Sequence, residues 1–336
     1  MIRNVVLVFS LLFLGFGYFF RTKLLNTNGQ KTPLINGIHP LVLSALGWIL
    51  FGVYWLMHYS DYEKIGDSFN MLVSIAALPF FIFIAYRELN EMPGNGLEGL
   101  RFLSGITVVS MGGYALISEV PVLEISLEFV NAYLVSGFLA MCGFPAEAGS
   151  IDYSGNPLWY RTNGDLLSVP VLHNGSDEIL ITLSCTAFSS LLLFGAAILS
   201  AREPRERKLT TALIILPAIF IFNIIRMAMI AYFTYTGFTS AAFAHHILGK
   251  VGSLLALLFL AWVLFTFLPS ILESVSEVFD IFFSGSDEKS ELEPDSAVKP
   301  SSVPKFEPDP LFDKNELKPE NAIDSLSSDP TGPEKQ

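Results

Sequence analysis

Apolar residues in this chain come in blocks long enough to cross a hydrocarbon core, about 20 residues each at a helical rise. The blocks lie at 2–20, 39–58, 68–86, 101–118, 122–142, 179–200, 209–236 and 243–268. Inside lipid, each segment must satisfy its own backbone N–H and C=O groups, so blocks of this kind are predicted to be helices. The expected fold class is an all-α polytopic integral membrane protein with seven or eight transmembrane helices. Residues 1–270 form the transmembrane domain. Residues 2–20 have a basic residue before an apolar run, as a signal peptide does. No small-residue cleavage site follows Phe19-Phe20-Arg21, so this block is expected to be a retained first span.

Polar pattern marks two segments outside the spans. The extracytoplasmic loop 143–178 carries two short alternating runs, 158–162 and 165–169, around Asn163-Gly164. That pair favours a type I′ hairpin turn. A second turn is expected at Asn174-Gly175, making a small β cap. From Ile271 to the C-terminus the chain is rich in Pro, Ser and acidic residues. Sixteen Asp/Glu and six Lys/Arg there give a net −10, against −12 for all 336 residues. This tail, 271–336, is expected to be disordered.

The composition agrees with a membrane protein: 51% hydrophobic, 15% charged, mean hydropathy +0.51. No basic patch suggests nucleic acid. The loop 201–208 holds Arg202, Arg205, Arg207 and Lys208, so it is expected on the cytoplasmic side, with the acidic tail. With eight spans, Arg21, Lys23 and Lys31 would lie outside and Asp61, Glu63 and Asp67 inside, against that bias. One remedy is that 122–142 does not cross. Glu124, Glu128 and Asn131 share one helical face there, as in an interfacial helix.

Three polar positions in the last three blocks carry the chemistry. Cys185 lies six residues into its block, roughly 9 Å deep, and Arg226 lies about 15 Å from the outer end of its own. His245 and His246 stand where the last block enters from outside. A lone cysteine in a span is ordinarily a small packing residue, and Cys142 is read that way. A buried thiol is inert without a nearby cation. Arg226 can stabilise a thiolate or the oxyanion of a tetrahedral intermediate, and a histidine can take and return the proton. A thiol, a guanidinium and an imidazole at one depth suffice for acyl transfer. The histidines show no HxxxH or HExxH spacing, and no metal or other cofactor is expected.

Four stretches resemble exosortases and archaeosortases: Gly143-Phe144-Pro145, Leu183-Ser184-Cys185-Thr186-Ala187, Asn223-Ile224-Ile225-Arg226 and His245-His246-Ile247-Leu248-Gly249. The resemblance covers about 130–268. It implies a membrane cysteine peptidase or transpeptidase with Cys185 as nucleophile, Arg226 as thiolate or oxyanion stabiliser and His245 as general base. His246 takes the last role if the register is shifted by one, and Asn223 supports Arg226. The implied substrates are secreted proteins with a C-terminal tripartite sorting signal. The implied acceptor that resolves the thioester is a membrane lipid, and the active site is extracytoplasmic. The acidic tail can then attract the basic cluster of such a signal. Two other readings stand beside this one: a transporter or channel with Arg226, Glu124 and Glu128 as pathway charges, and a non-catalytic membrane assembly protein.

Overall fold

The computed structural model describes residues 2–26, 40–64, 66–90, 97–151, 153, 155–158, 167–240, 243–244 and 249–283. Ten helices and a small sheet follow in chain order. They are α1 (Ile2–Asn26), α2 (Pro40–Leu56), α3 (Tyr59–Lys64), α4 (Ser68–Asn90), α5 (Leu97–Ser118) and α6 (Pro121–Met141). Then come β1 (Glu147–Ala148), β2 (Val169–His173), β3 (Ser176–Ile181), a 3₁₀ turn at Leu183–Cys185, α7 (Phe188–Ser200), α8 (Arg205–Tyr235), α9 (Lys250–Phe267) and α10 (Pro269–Phe283). This is a polytopic helical membrane protein. Among the described residues, six helices are long and apolar enough to cross a membrane, counting α2 with α3. Seven qualify if α9 and α10, bent by 108°, are taken together.

The block 179–200 is not one span. Its first residues finish β3, and its helix, α7, has only 13 residues. The reason is the turn before it. Asn174 (φ 50°) and Gly175 (φ 78°) both take the left-handed conformation of a type I′ turn and fold β3 back on β2. Ile179 and Ile181 then face the core while Leu180 is exposed, a period of two that matches a strand. The expected cap therefore exists as an antiparallel sheet of order β1-β2-β3. The hairpin expected around Asn163-Gly164 lies outside the described residues.

Ion pairs define one end of the bundle. Glu98 near the start of α5 accepts from Arg101 Nε (2.8 Å) and Arg202 Nε (3.2 Å), and Arg202 also reaches Glu277 of α10 (3.0 Å). Glu203 accepts the backbone N–H (2.8 Å) and hydroxyl (2.5 Å) of Ser270, capping α10 from outside. Burial pushes the Glu203 pKa up, but the Ser270 bonds outweigh it and hold the carboxyl below its ordinary value. This clamp therefore holds at neutral pH and loosens as acid protonates Glu203. Residues 271–283, expected within the disordered tail, belong instead to α10, with Ile271 and Ser274 buried. An apolar face at helical spacing lets that stretch pack along α5. Residues 284–336 lie outside the described set.

The run of α6 resolves the charge conflict. The α5 and α8 helices both start at the clamped end. A two-residue turn after α5 leads into α6, whose Asn131, Ala132, Val135 and Leu139 follow α8 toward its far end. There Phe144 packs on Tyr232 and Tyr235. Both ends of α6 thus lie at the end opposite the clamp, and α6 does not run from one end of the bundle to the other. By length and composition α6 still counts among the six helices able to cross. The other helices long and apolar enough to cross are α1, α2 with α3, α4, α5 and α8. The end of α1 carrying Arg21 then falls on the side of the basic loop, and Asp61, paired with Arg3, on the other. Arg21 is no loop cation: it is fully buried against Glu88, with Ser104 accepting at 2.9 Å.

The interfacial face proposed for α6 is corrected. Glu124, Glu128 and Asn131 are 8%, 0% and 2% exposed, so they face protein rather than headgroups. The C-terminus of α6 is a Schellman turn, with Phe144 N–H bonded to Leu139 O (2.9 Å) and Gly143 N–H to Ala140 O (3.0 Å). It needs a residue at φ 82°, which Gly143 supplies.

Two outcomes follow. Maleimide labels Cys142 and an introduced Glu119→Cys from the same side of the membrane, and an Arg205→Cys from the other. Labelling of 119 and 142 from opposite sides would make α6 a complete crossing. Arg21→Leu, which strands Glu88, lowers unfolding stability in micelles by about 3–5 kcal/mol, whereas Arg21→Met with Glu88→Leu recovers most of it.

Candidate functional site

Cys185 ends the 3₁₀ turn between β3 and α7, rather than lying within a helix. Its side chain is 6% exposed, packed among α6, the sheet and α8. The turn is held by Cys185 N–H to Thr182 O (2.9 Å) and Thr186 N–H to Leu183 O (3.2 Å). Thr182 Oγ1 lies 3.5 Å from the Cys185 sulfur and 2.8 Å from Ser184 Oγ. The Thr186 hydroxyl donates to Leu183 O (2.7 Å) and accepts the N–H of Phe188, the first residue of α7 (3.3 Å). Thr186 thereby opens the helix immediately after the thiol.

Two side chains of α8 converge on the same turn. Asn223 Nδ2 donates to the Cys185 carbonyl at 3.1 Å, and Arg226 Nη2 donates to it at 3.2 Å. Residues 223 and 226 are three apart, so one helical face presents both. Arg226 Nη1 also donates to Ser253 of α9 (3.0 Å), which in turn donates to Gly249 O (2.6 Å). Arg226 Nε is buried without an acceptor among the described residues. Cys185, Asn223 and Arg226, singled out from the sequence, thus share one place. His245 and His246 lie outside the described residues. Their neighbour Ala244 is fully buried in the core cluster that contains Cys185.

Beside the turn is a cavity of about 300 Å³ between the start of α7, α8 and α9. Its polar lining comes from Ser184, Thr186, Ser189, Ser190, Asn223, Arg226 and Ser253. Phe222 and Met229, also on its wall, are 41% and 49% exposed, so it lies next to the lipid-facing surface. Glu124 and Glu128, weighed as pathway charges with Arg226, do not line it. Among the described residues no group of three or more His, Cys, Asp or Glu can hold a metal ion. Cys142, read as a packing residue, is instead exposed at the end of α6.

Sequence reasoning missed how α6 joins the site. Asn131 Oδ1 lies 3.5 Å from Asn223 Nδ2, and Glu128, on the same face of α6, is fully buried. The signal was the polar stripe on an apolar helix, which has two readings until the packing partner is known.

Thr186→Val removes both the bond to the Phe188 N–H and the bond to Leu183 O. It is expected to cost about 1–2 kcal/mol in thermal unfolding of the solubilised protein, with Thr186→Ser restoring stability.

Compared with known proteins, residues 4–262 match the family described as transmembrane exosortase. Archaeosortase A of Haloferax volcanii is 26% identical over 191 residues, which are 55% of this chain and 60% of that protein. The match therefore spans less than two thirds of that relative. No solved structure matches the chain.

Proposed function

The chain belongs to the transmembrane exosortase family, and on that premise we propose that it is a membrane-embedded cysteine transpeptidase that cleaves C-terminal sorting signals from secreted proteins. The observation that carries this reading is the meeting of Arg226 and Asn223 on the backbone of Cys185, within 3.2 Å and 3.1 Å. A guanidinium beside a half-dry thiol favours its thiolate and can receive charge that develops on a neighbouring oxygen.

In this mechanism the Cys185 thiol gives its proton to His245, or to His246 if the register is shifted by one, and the sulfur attacks the scissile carbonyl carbon. A C–S bond forms and the carbonyl oxygen becomes an oxyanion, stabilised by Arg226. Collapse breaks the C–N bond, and the imidazolium returns its proton to the departing amine. The signal's C-terminal part leaves, and the acyl group stays as a thioester on Cys185. The nucleophilic group of a membrane lipid then attacks the thioester and frees the thiol. Asn223 orients Arg226 by sharing its acceptor. The cavity beside Ser184 and Thr186 gives an apolar substrate segment access from the membrane.

Orientation follows from charge. Arg202, Arg205, Arg207 and Lys208 mark the clamped end as cytoplasmic, so the sheet and Cys185 lie toward the outside and the chain after α10 begins inside.

Co-expression with a candidate tripartite substrate tests this reading. Cys185→Ala is expected to abolish the size shift of the substrate and any thioester adduct. Arg226→Ala lowers processing by on the order of 10²–10³-fold, the loss typical of an oxyanion donor, with expression unchanged. Of His245→Ala and His246→Ala, the one that abolishes processing identifies the base. Full processing by Cys185→Ala would remove the cysteine mechanism.

A further inference from the structure

The turn that carries the candidate nucleophile begins with a hydroxyl that does not cap it. Thr182 stands at the N-cap of the 3₁₀ turn, in extended backbone at φ −104° and ψ 170°. A threonine there ordinarily accepts a backbone N–H of the helix it precedes. The Thr182 side chain makes no such bond. Its Oγ1 lies instead 3.5 Å from the Cys185 sulfur and 2.8 Å from Ser184 Oγ. Spacing explains the first contact. Side chains three residues apart eclipse in a 3₁₀ turn, and the bond from Cys185 N–H to Thr182 O (2.9 Å) closes this one. Arg226 does not duplicate the contact: it donates to the Cys185 carbonyl, to Ser253 and to the Met227 sulfur. Asn223 also takes the carbonyl. Among the described residues, Thr182 is the side chain whose hydrogen bond reaches the Cys185 sulfur. A thiol can donate or accept, but a thiolate only accepts. Once the thiol proton has left for the base, the Thr182 O–H points at the sulfur and its oxygen accepts from Ser184. Both hydroxyls reach this arrangement by rotation alone.

We propose that Thr182 is a further catalytic residue: its hydroxyl donates to the Cys185 thiolate, and Ser184, donating to Thr182 in turn, orients it. The assignment rests on Cys185 being the nucleophile. Thr182 keeps its own proton throughout, and the thiol proton goes to the histidine. The two sides of the nucleophile are then served separately, the carbonyl of Cys185 by Arg226 and Asn223 and its sulfur by Thr182. A hydrogen bond to a charged acceptor is stronger than one to a neutral acceptor. The Thr182 bond therefore tightens as the thiolate forms, and it holds the sulfur in one direction for attack on a bound carbonyl.

The test uses the full-length, detergent-solubilised protein carrying Cys142→Ser, so that Cys185 is the single thiol. Two readouts are compared at neutral pH: the rate of Cys185 alkylation by iodoacetamide, and kcat and KM for a tripartite substrate processed in the co-expression assay. Thr182→Val keeps the shape and branching of the side chain and removes only the donor. It lowers kcat by roughly 10- to 100-fold with KM within about 3-fold, and slows alkylation by about 3- to 10-fold. The alkylation loss is the smaller because a less stabilised thiolate is scarcer but intrinsically more nucleophilic. Thr182→Ser restores the donor without the methyl group and stays within about 3-fold of the parent in both readouts. Thr182→Ala matches Val, and decides the matter if Val does not fold. Ser184→Ala costs about 2- to 5-fold alone and nothing further on top of Thr182→Val, because it acts through Thr182. A Val variant as fast as the parent in both readouts would overturn the proposal. A Ser variant as slow as Val would overturn it too, since packing of the methyl group would then be the cause. A Ser184→Ala loss that adds in full to that of Val would remove Ser184 from it. Processing by Cys185→Ala would sink the nucleophile assignment alone, since the alkylation rates still report whether Thr182 serves the sulfur.

Discussion

A permanently charged guanidinium inside a bundle of apolar helices has to find acceptors, and the organisation of the C-terminal half follows from where Arg226 finds them. One is a side-chain hydroxyl on α9, Ser253. Another is a backbone carbonyl, that of Cys185. A helical residue would spend that carbonyl on its own ladder. It is free because Cys185 ends a 3₁₀ turn and α7 begins only at Phe188. The break in the chain thus makes the acceptor, and the acceptor ties α8 and α9 to the turn that carries the thiol. A continuous helix through 179–200 would have left the arginine without this partner.

The cap and α6 depend on the same break. A hairpin that returns β3 toward the bundle delivers the chain to Leu183 at the right place to start the turn. Phe144 stacks on His173 at 4.1 Å, and the Tyr235 hydroxyl donates to Val171 O, so the sheet is fastened both to the end of α6 and to the end of α8. Beneath it, α6 turns a polar stripe toward the site instead of toward lipid. The stripe lies far from the clamped end, where Glu98, Arg101, Arg202 and Glu277 hold α5, the basic loop and α10 together. One end of the molecule is thus held by ion pairs, and the other carries the sheet and the turn with Cys185.

A second buried charge, Arg21 with Glu88, does for the N-terminal half what Arg226 does for the C-terminal half, but with a carboxylate as partner. The difference is informative. Arg21 is fully buried. Arg226 lines a cavity, and one of its acceptors belongs to the candidate nucleophile. The N-terminal pair is a structural pin, and the guanidinium of α8 has the surroundings of a working group.

The sequence by itself determined the membrane class, the family resemblance, the turn at Asn174-Gly175 and the interest of Cys185, Asn223 and Arg226. Each of these rests on local rules: block length, the φ > 0 demand of a type I′ pair, or the cost of a charge in a span. Only the tertiary structure decided that 179–181 is strand, that the end of α6 packs beside the end of α8, that α10 extends to Phe283, and that Glu128 and Asn131 are buried against protein. The stretch Ile179-Leu180-Ile181 is apolar in either conformation, and a polar stripe on a helix suits headgroups as well as a buried site. What settles such cases is which surface lies opposite, and that depends on contacts between segments dozens of residues apart.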